Sequence, residues 1–174
     1  SRGLGDVYKR QEAEATIHLI KPVTTPEPVV ADEKNWGEGN QPRNSNKPST
    51  ALDLELKADH VIATDQSSGH SLPRISPFHA SAALEYKLDD FSARLEGIFA
   101  AKQTQVADHE LPTDAYGMIN ASISKTISAG GFATKFYIKG VNLTNVEARE
   151  HTSFLKDSAP LAGRGVVVGA AVEF

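Results

Sequence analysis

Cysteine is missing from the 174 residues, which excludes disulfides, thiolate nucleophiles and thiolate metal sites. An excess of cationic charge is missing too, with 18 Lys and Arg against 22 Asp and Glu. A nucleic-acid binder held by phosphate contacts needs the opposite balance, and no basic patch with interleaved aromatics occurs. No apolar run approaches the roughly 20 residues of a membrane-spanning helix. The opening stretch "SRGLGDVYKRQ" lacks the apolar core and small-residue cleavage site of a secretory signal. Catalytic signatures are absent as well: there is no Gly-rich phosphate loop, His-Glu-x-x-His helix or nucleophile elbow. The paired carboxylates Asp89 and Asp90 fall in a turn signal, where nothing separates their pKa values for acid–base work. The chain is therefore expected not to be an enzyme and not to bind nucleic acid.

What the sequence does contain is alternation. In "ALDLELKADHVIA", Leu52, Leu54, Leu56 and Ala58 share one phase, and Asp53, Glu55, Lys57 and Asp59 the other. The same period of two runs through "EAEATIHLI", "HASAALEYKL", "FSARLEGIFAAK", "YGMINASISKTI", "FATKFYIKGVNL" and the terminal "GRGVVVGAAVEF". A period of two is the mark of strands with two different faces, so the spacing predicts about seven antiparallel strands and an all-β fold. Tight-turn signals stand at "KLDDF" and "SAGGF", while "TDQSSGHSLPRISPF", "TQVADHELPTDA" and "TNVEAREHTSFLKDSAPLAGR" form long polar connections. Residues 21–49, rich in Pro, Asn and charge, read as an irregular insertion. Short turns at one end and long loops at the other are the layout of an outer-membrane barrel. Alternation itself is shared by a soluble β-sandwich with an apolar core and by a barrel with a lipid-facing wall. Many small apolar residues beside a charge-dense face, and an ordered aromatic terminus at Phe174, favour the barrel.

Several stretches resemble the C-terminal part of a TonB-dependent outer-membrane receptor. The terminal Phe174 behind alternating apolar residues resembles the signal read by the barrel-assembly machinery, and "IKGVNLTNVEARE" resembles the penultimate strand of these receptors. "SLPRISPFH", "HELPTDAYGMINASIS" and above all "REHTSFLKDSAPLAGRGV" are similar to the zinc-uptake receptors of that family. The resemblance spans residues 12–174 apart from the 21–49 insertion. "LGDVYKRQ" resembles a translated sequencing adapter, so residues 1–11 are expected to be a non-native leader. The resemblance implies the bacterial outer membrane, lipid as the surrounding solvent, and active uptake of a scarce substrate, zinc first, a siderophore or haem next. It implies no resident cofactor, with zinc as the transported substrate, and contact with the TonB complex through a plug domain. A soluble β-sandwich acting in binding or adhesion is the rival from another class.

Zinc favours neutral imidazole and carboxylate donors. Of the six histidines, His70, His109 and His151 fall on the expected external loops, and with Glu110 they make the candidate metal set. His60 and His79 lie near strand ends, and Asp108, Glu147 and Glu150 are further carboxylates on the same loops. None of these residues has the close His-x-x-x-His spacing, so a site has to assemble across loops.

Receptors of this kind close about 22 strands around a plug, and an open strand edge in hydrocarbon leaves backbone groups unpaired at several kcal/mol each. Residues 1–174 expressed alone are thus expected not to insert as a stable barrel; heat-modifiable gel migration of a refolded monomer would overturn this.

Overall fold

The structure is a computed structural model and describes residues 6–21 and 49–173. Seven strands follow one another: β1 (Asp6–Ile20), β2 (Thr50–Asp65), β3 (His79–Leu88), β4 (Phe91–Ala100), β5 (Tyr116–Ala129), β6 (Phe132–Val141) and β7 (Gly165–Glu173). They form one antiparallel sheet in the order β1-β2-β3-β4-β5-β6-β7, and no helix occurs among the described residues. The fold is all-β, as the alternation predicts. Two sequence expectations, the character of the 21–49 insertion between its end residues and the ordering of Phe174, lie outside the described residues.

β1 starts earlier than its alternating pattern does. It includes Asp6 to Gln11, part of the stretch expected to be a leader, because β2 is long enough to pair with it: Val7 faces Thr64, Lys9 faces Ile62 and Gln11 faces His60. Backbone groups make this pairing, and Val7 beside Lys9 in one phase and Tyr8 beside Arg10 in the other leave no periodic trace.

The register keeps every strand in phase with the next. One row runs Ile17–Leu54–Leu84–Leu95–Ala121–Gly140–Val166, and its neighbour runs Leu52–Tyr86–Ala93–Ile123–Ile138–Val168. The opposite face carries the row His18–Asp53–Glu85–Arg94–Ser122–Lys139. One irregularity, between His18 and Ile20, lets β1 reach Leu52 without losing phase elsewhere. Since side chains alternate between faces, a one-residue slip anywhere would have mixed the two surfaces.

Nothing among the described residues covers the apolar face. Leu84, Leu95, Ile123, Phe136, Ile138 and Val168 are all exposed, together with many neighbours. Full burial of such a side chain contributes roughly 1.5–3 kcal/mol. A dozen left about half in water forfeit on the order of 10 kcal/mol, comparable with the whole net stability of a domain. The buried apolar residues sit elsewhere: Ala51, Val61, Ala63 and Ala83 lie on the polar face, and Ala100, Tyr116 and Ala148 cluster where the β6–β7 connection folds onto it, with Met118 and Val146 packed against them.

Tyr116 pairs with Ala100, which puts it in the phase of Met118, on the polar side under the loops.

The expected tight turns are present. Gly130 and Gly131 both have positive φ, 60° and 86°, as a two-residue type I′ hairpin requires. Asp89, at φ 49°, turns β3 into β4, and its carboxylate accepts the Ser49 backbone N–H at 2.8 Å. On β7, the Tyr137 ring lies where a β-carbon on its register partner Gly169 would stand, so glycine there admits the aromatic.

The loop end is organised by Asn142, only 2% exposed and at φ 48°. Its backbone N–H donates to Asn120 Oδ1 at 2.9 Å, and its Nδ2 donates to the carbonyls of Val146 and Ala162 at 2.9 and 3.1 Å. Its Oδ1 accepts the Val146 N–H at 3.1 Å. Left-handed backbone suits asparagine better than most side chains, and the amide ties both ends of a long loop to one point. Asn142→Ala should cost roughly 3 kcal/mol locally, since buried partners lose their bonds. The expected readout is about hundredfold faster hydrogen exchange at Val146, and unchanged exchange there would contradict the assigned role.

Candidate functional site

Antiparallel order brings three connections to one end of the sheet: residues 66–78, 101–115 and 142–164. The first folds back on the end of β2 through the isolated pair Thr64–Ser71, and the second on itself through Gln103–Thr113. Gln103 is buried and reaches across, its Nε2 donating to the Ile75 carbonyl at 3.0 Å. The three connections therefore touch one another as well as the strands.

At their meeting point stands a buried polar cluster. The Lys156 ammonium donates to Glu110 Oε1 at 2.9 Å and to the Leu111 carbonyl at 2.7 Å. His151, 1% exposed, places Nε2 3.3 Å from the same Glu110 oxygen, and its Nδ1 lies 2.9 Å from Thr113 Oγ1. Glu110 Oε2 accepts the backbone N–H of Ala107 at 3.1 Å, and the Arg74 N–H reaches the carboxylate at 3.0 Å. One carboxylate thus collects donors from all three connections. Charge pairs taken out of water persist only when hydrogen bonds satisfy them fully, as here.

The electrostatics follow from that crowding. Burial pushes the Glu110 carboxyl up, but the Lys156 ammonium and the N–H groups of Ala107 and Arg74 outweigh it, and the net shift is downward from 4.5. His151 is lowered from 6.5, first by burial and then by the Lys156 charge, which together exceed the opposing pull of Glu110. At neutral pH the cluster is therefore an ammonium–carboxylate pair beside a neutral imidazole.

Of the four candidate zinc donors, Glu110 and His151 come together here, whereas His70 and His109 do not join them. His70 is exposed and pairs with Asp108 at 3.1 Å. His109 is exposed on a left-handed residue, φ 66°. Among the described residues no group of three or more His, Asp or Glu side chains is placed to hold a metal ion. Glu147 binds Arg149 at 2.7 Å, and His60 stacks edge-on against Phe78.

Between the sheet and the 142–164 connection lies a cavity of about 410 Å³. Its floor is the polar face, with Asp59, His79 and Glu96, and Glu150 and Leu161 of the 142–164 connection form its roof. His79 accepts or donates a 3.0 Å bond with Ser76 and stands 3.8 Å from Asp59. Farther from the loops, Arg94 bridges Glu55 at 2.8 Å and Glu96 at 3.3 Å. Buried Ala83 separates the two acids in their row and leaves room for the guanidinium. Lys156, Thr113 and Gln103 escaped sequence reasoning because each is an ordinary polar residue in a polar loop; only their burial sets them apart.

No protein-family model matches the chain, and neither does any curated protein.

The pKa directions fix a pH dependence. His151 is depressed in the folded chain, so its contribution is present above pH 6.5 and is lost as the pH falls below that value. Glu110 acts in the same sense but only below about 4.5. Protection of the Thr113 amide, corrected for intrinsic exchange, should fall between pH 7.5 and 5.5, and His151→Gln should flatten that fall. A flat wild-type profile would contradict this account.

Proposed function

We propose that the chain is part of the transmembrane barrel of an outer-membrane TonB-dependent receptor, with zinc as the substrate taken up. The observation that carries the reading is the in-step register of seven strands, which gives one face mostly to uncovered apolar side chains, with Lys125 a charged exception between Phe91 and Phe136, and most of the charge to the other. In a barrel the first face meets lipid and the second lines the lumen. Lipid relieves the cost of the exposed face without a second protein layer.

Dimensions support the same reading. The ten-residue strands β3, β4 and β6 are about 34 Å long at 3.4 Å per residue. Tilted by 35–45°, they span roughly 24–28 Å, the height of the apolar band of such barrels. Two-residue turns at 89–90 and 130–131 on one end, where the 21–49 insertion is the exception, and connections of 13 to 23 residues at the other match periplasmic and external sides. The zinc assignment rests on the likeness of the loop stretches to zinc-uptake receptors, and the carboxylates and imidazoles of the loops and the cavity are donor types that zinc accepts. Energy would enter through the TonB complex and a plug domain, and the charged wall would face that plug. Assembly would use the terminal strand.

Residues 1–174 contain no cysteine, so a thiol introduced among them is read without competition once any cysteine elsewhere in the receptor is replaced. In the complete receptor, Leu95→Cys and Val168→Cys should react with a lipid-soluble thiol probe and resist a water-soluble one, and Ser122→Cys should do the reverse. Free reaction of Leu95→Cys with the water-soluble probe, from a chain found without detergent in the soluble fraction, would remove the barrel reading. Deleting the gene should slow growth under zinc chelation and lower cell zinc; unchanged growth and zinc content would remove the substrate.

A further inference from the structure

We propose that Lys125 and the apolar groove beside it hold an anionic glycerophospholipid of the periplasmic leaflet, its phosphate on the ammonium and an acyl chain along the groove. The site rests on the barrel reading given above, but not on the identity of the substrate.

Two lysines share the phase of the apolar face. Lys9 faces Ile62 on the part of β1 and β2 that runs past the last β2–β3 pair, Asp59 with His79, and so stands beside the outer loops. Lys125 stands inside the wall. Its cross-strand row is Leu88–Phe91–Lys125–Phe136–Ala170, and Ile123 and Ile127 flank it on its own strand. The side chain is exposed, and none of the ion pairs among the described residues includes it.

Depth decides what that charge meets. Lys125 is the tenth residue of β5 counted from Tyr116, and ten tilted residues cover the height of the apolar band. Its partner Phe91 directly follows the turn at Asp89 and Asp90, so this row lies at the periplasmic border of the band. A lysine on a lipid-facing wall is costly at the bilayer centre and nearly neutral at the border, where its apolar stem lies along the wall and its head reaches the headgroups. The anion that the bilayer itself supplies at that level is a lipid phosphate. A second copy of these strands offers no substitute, because their apolar face carries no Asp or Glu.

The wall has room for the chain as well as the charge. Phe91, Ile123, Phe136, Ile138 and Val168 share a groove of about 270 Å³ with Lys125. All but Phe91 are exposed, so an acyl chain laid there covers apolar surface. The row Ile123–Ile138–Val168 is one step nearer the middle of the band than the row of Lys125. Cation and groove therefore follow one another in the order of headgroup and chain.

Photo-crosslinking identifies the occupant. The complete receptor is reconstituted with phosphatidylglycerol or phosphatidylcholine carrying the same diazirine acyl chain, and labelled residues are located by mass spectrometry. Phosphatidylglycerol should label Ile123, Ile138 and Val168 about fivefold more than phosphatidylcholine, the effect of one lysine at an anionic lipid surface. Labelling at Leu84 and Leu95, elsewhere on the same wall, should show no preference. Lys125→Gln should abolish the preference at the groove and Lys125→Arg should keep it, both with heat-modifiable migration retained. Equal labelling of groove by the two lipids, or a preference that survives Lys125→Gln, would overturn the site. Loss of the preference on adding inorganic phosphate would overturn it as well, assigning the ammonium to a free anion. The comparison of groove with Leu84 and Leu95 is made on the unaltered chain, so it decides the matter even where a variant fails to fold. A receptor recovered without detergent in the soluble fraction would instead count against the barrel reading.

Discussion

Phase is the constraint on which the rest of this structure depends. Adjacent strands share a register for seven strands, and the side-chain period of two converts that continuity into two chemically separate surfaces. The cross-strand rows from Ile17 to Val166 and from His18 to Lys139 exist only because each hairpin returns the chain in step. Two glycines at 130 and 131 and a left-handed Asp89 keep the short turns tight enough to do so. The bulge near His18 absorbs the one mismatch at the edge of the sheet.

From that separation follows an unusual distribution of burial. The apolar wall remains bare, and the small interior that does form lies on the charged side, where the 142–164 connection packs Ala148 and Val146 onto Ala100, Tyr116 and Met118. The loop end is therefore more compact than the wall that carries it. Its polar groups are correspondingly well matched: Glu110 gathers Lys156, His151, Ala107 and Arg74, and Asn142 clasps both ends of the 142–164 connection. Buried ion pairs contribute little net stability compared with apolar packing. Their effect here is to fix which loop meets which, and that arrangement shapes the cavity above Asp59 and His79.

The sequence and the structure differ most at the loops. Glu110 and His151 stand out in the sequence as metal-type donors, and the structure does bring them together, but with a lysine ammonium on the same Glu110 oxygen and the backbone N–H groups of Ala107 and Arg74 and the Thr113 hydroxyl as further partners. His70 and His109, equally visible in the sequence, stay in solvent. Residue type identifies chemical capacity; it does not specify which capacities share a neighbourhood when 38 residues separate Thr113 from His151 and 46 separate Glu110 from Lys156.

By itself the sequence determined the seven strands, the positions of the short turns and long connections, and the partition of side chains into two faces, because all of these are set by period, by glycine and by local charge. Tertiary structure decided the rest. It set the extension of β1 back to Asp6, since backbone pairing with β2 needs no side-chain pattern, and the inward placement of Tyr116, since a strand's end takes its face from its neighbour. It also decided the union of Glu110, His151 and Lys156, since contacts between loops depend on where the strands beneath them stand and leave no periodic signal along the chain.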